Sequence, residues 1–131
     1  LEQIDSFLHN KKSIGDKYTY FLKDEKRIKI QKINPKIKSS YWLFVIILNE
    51  NFIIFRDKIM KMLLYEGIET RPVFYPLHEM KPYKQYSSNE ILNTTKISYG
   101  GICLPTGIGM KTENIKYICK KLSDIINTIN C

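Results

Sequence analysis

Apolar positions recur along this chain with two different periods, and the switches between them divide it into elements. Leu1, Ile4, Leu8, Ile14, Tyr18, Phe21 and Leu22 fall at helical spacing, with Asp5, Lys11, Lys12 and Lys17 between them. That pattern predicts an amphipathic helix of about six turns at 3.6 residues each. Residues 27–32 then alternate basic residues with isoleucine (Arg27-Ile28-Lys29-Ile30), which reads as a strand with one solvated face. A polar linker runs through Asn34-Pro35 to Ser39-Ser40. Residues 41–48, from Tyr41-Trp42 to Leu48, are apolar on both faces and rich in aromatic and β-branched side chains. The run is short for a helix, so it predicts a buried, central strand with Trp42 inside.

Helical spacing returns over residues 52–65, where Phe55, Ile59, Met62 and Leu63 share a face, and Gly67 stands where a left-handed cap residue is wanted. Residues 68–74 read as a strand, and Pro72 within it favours an edge position or a bulge. Residues 75–88 carry Pro76 and Pro82 among many polar side chains. Loops of that length in compact domains are usually functional or disordered. A short helix over 88–99 ends at Gly100-Gly101, and residues 102–104 make a brief strand. Thr112 is placed to cap a helix through Asn130, with Glu113 in its first turn complementing the helix dipole. Ile115, Ile118, Leu122, Ile125, Ile126 and Ile129 form its apolar stripe. Burying every stripe at once calls for an α+β fold: helices on one face of a small, mostly antiparallel or mixed sheet. The chain of 131 residues suits a single domain, 1–131.

Composition narrows the partners. The longest apolar run, residues 42–48, would span only a fraction of a bilayer as a helix. The first residues read as an amphipathic helix rather than a signal peptide. The start at Leu1 instead of Met suggests that a preceding stretch has been removed. The net charge of +8 would suit nucleic acid, anionic lipid or a phosphorylated small molecule. Yet the basic residues are nearly all lysine, with only Arg27, Arg56 and Arg71, and base readout favours the planar fork of arginine. Neither nucleic acid nor a membrane is therefore the expected partner. Cys103, Cys119 and Cys131 are odd in number and widely spaced, which fits a reducing cytoplasm. Cys103 in an apolar strand and Cys119 on a helix read as core filler.

Most catalytic chemistries lack their residues. Gly107-Ile108-Gly109 is a bare turn and not a phosphate-cradling loop. His9 and His78 are the only histidines, and neither metal-ligand spacing nor a Ser-His-Asp arrangement is present. One segment is unusual. Arg71, Tyr75 and His78 follow one another on a strand and a proline-stiffened loop, and together they offer a cation, a phenol and an imidazole to an anionic or hydroxylated ligand. The plainer reading has Arg71 paired with a carboxylate, Tyr75 packed and His78 satisfied at the surface. Residue chemistry alone leaves both open.

Three stretches of sequence resemble one family. They are Tyr41-Trp42-Leu43-Phe44-Val45-Ile46, the string Ile68-Glu69-Thr70-Arg71-Pro72-Val73-Phe74-Tyr75-Pro76-Leu77-His78, and Leu104-Pro105-Thr106-Gly107 before the terminal helix. In order and spacing they are similar to the DegT/DnrJ/EryC1/StrS family of pyridoxal-phosphate-dependent sugar aminotransferases. The resemblance implies the C-terminal small domain of a fold-type-I enzyme, with a large cofactor-binding domain lying outside this chain. It further implies transfer of an amino group from glutamate or glutamine to a keto group on a nucleotide-linked sugar, as in polysaccharide biosynthesis, by a cytoplasmic homodimer. Pyridoxal 5'-phosphate would be held mainly by the large domain, and no catalytic or cofactor-binding residue is assigned in this chain. By the same resemblance Arg71 would face a carboxylate or phosphate, His78 would approach the sugar, and Tyr75 would flank it. A non-catalytic binding module of the same fold, or a basic nucleic-acid or membrane-surface adaptor, are the alternatives.

Overall fold

The computed structural model describes residues 2–87 and 91–129. Four helices, α1 (Ile4–Leu22), α2 (Arg56–Tyr65), α3 (Leu92–Gly100) and α4 (Thr112–Thr128), accompany four strands, β1 (Ile28–Ile30), β2 (Phe44–Leu48), β3 (Arg71–Pro72) and β4 (Gly101–Leu104). The strands form one sheet in the order β1-β2-β4-β3, and every pairing is antiparallel. The architecture is the α+β layer expected.

Side-chain alternation gives the sheet two unlike faces. Phe44, Ile46 and Leu48 of β2 are buried, while Val45 and Ile47 between them are only half-buried. The register sets Ile46 beside Ile102 and Leu48 beside Ile28, so neighbouring strands add to the buried face. Against it pack Ile14, Tyr18 and Leu22 of α1, Ile59 and Leu63 of α2, and Ile115, Leu122 and Ile126 of α4. Helix α3 contributes nothing to this core; it sits against a 3-10 turn, Glu50–Phe55, and against β2 and β4. No helix among the described residues is long and apolar enough to cross a membrane.

The central strand is shorter than its apolar run, and this overturns the burial expected of Trp42. Tyr41 adopts φ +44°, a left-handed conformation that interrupts an extended chain. Its ring lies against Gly15 of α1 and stacks on Phe44 at 6.4 Å between centroids. Trp42 is thereby directed outward, 66% exposed, and stacks on Phe74 at 6.2 Å. Alternation carried back from Phe44, Ile46 and Leu48 would turn Trp42 inward, but the strand begins only at Phe44, and the break at Tyr41 gives the inner place to that ring instead.

Other boundaries move for local reasons. The strand expected over 68–74 pairs only at Arg71–Pro72, on the sheet edge, where a proline without an N–H is tolerated. The helix expected from residue 52 begins as the 3-10 turn and becomes α-helical at Arg56. Helix α4 is capped by Lys111 with no side-chain bond, so Thr112 is the first helical residue and not the cap. Helix α3 starts at Leu92; the earlier part of the helix expected over 88–99 includes residues 88–90, outside the described residues, as is Asn130 at the expected end of α4. Gly67 does take a left-handed φ of +74°, with its N–H donating to the Leu64 carbonyl and Ile68 N–H to that of Leu63, both at 2.9 Å. This double bond pattern, closed by the buried Leu63 and Ile68, is a Schellman stop.

Candidate functional site

Two clefts carry the singled-out residues. Arg71 lies on edge strand β3 opposite Cys103 of β4. It borders a groove of about 970 Å³ whose walls include Leu43, Cys103, Pro105, Met110 and Tyr117. Its side chain is 80% exposed, and its one ion pair among the described residues runs to Glu69 Oε1 at 3.3 Å. An exposed pair of that kind is held weakly, so the cation is available to a ligand. The far wall of the groove is braced from α1. Lys11 Nζ donates to the Thr106 carbonyl, Tyr18 Oη to the Pro105 carbonyl at 2.9 Å, and Thr106 Oγ1 to the Trp42 carbonyl at 2.9 Å.

Tyr75 and His78 line another, smaller cleft of about 450 Å³, where the loop after β3 lies on α3. The sequence there folds as it does because Pro76 is buried and opens a short 3-10 turn, Leu77–Glu79. The loop is pinned when buried Ser98 donates to the Phe74 carbonyl at 2.9 Å. Around the turn the polar groups gather on Glu79. Tyr99 Oη donates to Glu79 Oε2 at 2.6 Å, Thr95 Oγ1 to Oε1 at 3.3 Å, and His78 Nε2 lies 3.7 Å from Oε1. Thr95 Oγ1 is also 3.4 Å from His78 Nε2. The Tyr99 phenol, with help from Tyr75, holds the Glu79 carboxyl below the usual carboxylate range. In return Glu79, with Tyr75, pushes Tyr99 up to about 12.

The structure thus brings Tyr75 and His78 together and sets Arg71 in a separate groove. Glu79, Thr95 and Tyr99 were not singled out by the sequence reading. One signal was present: Thr95 and Tyr99 are four apart on an expected helix and so share a face. Nothing local marks Glu79, whose hydrogen bonds from Thr95 and Tyr99 come from α3.

Neither cleft is built to carry pyridoxal phosphate. The linings of both contain no lysine, so neither offers an amine for a Schiff base. Among the described residues no group of histidine, cysteine or acidic side chains could hold a metal ion. Cys103 and Cys119 are buried, and burial pushes the Cys119 thiol up to about 12 and raises that of Cys103. Cys131 lies outside the described residues.

The fold has counterparts among solved aminotransferases. The chain superposes on the aminotransferase TlmJ from Streptoalloteichus hindustanus with a TM-score of 0.86 at 15% identity, over 99% of this chain and 34% of that one. The aminotransferase PseC from Helicobacter pylori, involved in the biosynthesis of pseudoaminic acid, gives 0.82 at 18% identity, over 93% of this chain and 33% of that one. In sequence it is 31% identical to a GDP-perosamine synthase of Vibrio cholerae over 98% of this chain and 35% of that protein. Residues 1–123 match the DegT/DnrJ/EryC1/StrS aminotransferase family, and the chain belongs to that family. It spans about a third of the length of the relatives it matches.

Proposed function

We propose that this chain is the C-terminal small domain of a pyridoxal-phosphate-dependent aminotransferase that moves an amino group from glutamate or glutamine to a nucleotide-linked keto sugar. Arg71, Tyr75 and His78 are its substrate-binding residues. The observation that supports the assignment of roles is the exposed side chain of Arg71, which lines a groove and is held among the described residues by a weak pair with Glu69. Such a fork suits a carboxylate or phosphate. The family match over residues 1–123 supports the chemistry. When bound, the cofactor serves as the electron sink. It resides in this reading on the large domain of a cytoplasmic homodimer, and this segment binds and orients substrate.

The test is single-turnover kinetics of each half-reaction in the enzyme that joins this domain to its large domain, with thermal stability followed in parallel. Arg71→Ala should lower kcat/KM about ten- to a hundredfold, the loss of one charge-assisted contact of roughly 1.5–3 kcal/mol. His78→Ala should slow the sugar half-reaction and spare the amino-donor one. Variants that fold and react like the parent would make the segment structural.

A further inference from the structure

We propose that Glu79 is a positioning residue that sets the tautomer of His78, keeping hydrogen on Nε2 and presenting Nδ1 to the sugar as an acceptor. This rests on the reading that His78 meets the sugar.

An ionised carboxylate only accepts, and a threonine hydroxyl has one hydrogen to give. Three acceptors lie within reach of that hydrogen on Thr95 Oγ1: Glu79 Oε1 at 3.3 Å, and the Ile91 carbonyl and a bare His78 Nε2, each at 3.4 Å. The carboxylate is the charged one and the nearest, so it draws the hydrogen, and Thr95 then meets His78 Nε2 as an acceptor with the ring donating. The Glu79 charge, 3.7 Å from the same nitrogen, favours hydrogen there as well. The carboxylate is held in place by the 2.6 Å bond from Tyr99, and it is kept ionised by that bond. His78 Nδ1 has no hydrogen-bond partner among the described residues, and His78 is one of the residues lining the cleft. A neutral imidazole so held offers a lone pair to a donor, and the donor class fitting it is a sugar hydroxyl. The sequence neighbours His78 and Glu79 thus act as a pair only because α3 supplies Thr95 and Tyr99.

The experiment reads the ring nitrogens directly. In the 131-residue chain carrying His9→Gln, which leaves one imidazole, long-range proton–nitrogen correlation is recorded at pH 8.5, well above the range in which imidazoles ordinarily titrate. The expected result is a wide separation of the two nitrogen shifts with the Nε2–H pattern. In Glu79→Gln, whose amide can donate, and in Thr95→Val, the separation should shrink toward the averaged mixture of a solvated ring, while Glu79→Asp should restore part of it. An Nδ1–H pattern in the parent chain, or an unchanged separation in both Glu79→Gln and Thr95→Val, overturns the proposal. Sugar half-reaction rates of Glu79→Gln in the two-domain enzyme decide the other matter. If the tautomer shifts while those rates stay at the parental value, the positioning stands and the sugar-binding role of His78 falls.

Discussion

The ring of Tyr41 occupies the space a side chain would need at Gly15: a β-carbon there would lie 2.4 Å from Tyr41 Cδ1. This contact joins α1 to the segment entering β2, and it leaves the glycine in mid-helix despite its poor propensity. Alanine is favoured over glycine there by about 1 kcal/mol on helix propensity alone. Overpacking typically costs about 1–3 kcal/mol, and Tyr41 is stacked on Phe44 with little room to move. Gly15→Ala should therefore destabilise the chain by about 1 kcal/mol in urea unfolding. In a Tyr41→Ser background the same change should stabilise it, and that reversal of sign is the diagnostic result.

Trp42 should report an exposed environment. The chain has a single tryptophan, 66% exposed, so its emission should be red-shifted and readily quenched by acrylamide. Phe74→Ala should raise the quenching further by removing the stacked ring. A blue-shifted, protected spectrum in the isolated chain would contradict this placement.

The Cys119 thiol should be slow. In a background carrying Cys103→Ser and Cys131→Ser only Cys119 remains, buried in the core and pushed up to about 12. The thiolate is the reactive form, so labelling at pH 8 should require opening of the core. Complete labelling in urea, with near-zero rates in buffer, is the expected contrast in a thiol-reagent assay.

Acid should weaken the fold partly through Glu25. Desolvation pushes its carboxyl up, but bonds from Arg27, at 2.6 Å to each oxygen, prevail and hold it below its usual value of 4.5. A lowered folded-state value means the unfolded chain takes up the proton first as pH falls. The contribution is complete above about 4.5 and is lost as pH drops through the folded-state value. Glu25→Gln should be less stable than the parent at pH 7 and lose less stability between pH 5 and pH 3, as read by thermal melts.

Much of the fold was legible along the chain because it depends on local periodicity. The apolar stripe of the last helix, the alternation in residues 28–30 and the left-handed stop at Gly67 each state their structure within a few residues. The strand at 41–48 misled because its alternation points Trp42 inward with Phe44, and no local pattern shows that the extended chain breaks before Phe44. The space taken by the Tyr41 ring was left by Gly15, some twenty-six residues away. The candidate site divides in the same way. Arg71, Tyr75 and His78 are conspicuous as residue types near two prolines. Their distribution between two clefts, with Glu79 as the centre of one, depends on which helix lies over the loop.

From its sequence alone this chain determined its class: an α+β layer and a segment similar to sugar aminotransferases, since both rest on patterns carried by consecutive residues. Only the tertiary structure decided which side chains meet. Hydrogen bonds act over about 3 Å, and the residues that close that distance on His78 and Glu79 come from a helix sixteen to twenty positions further along the chain.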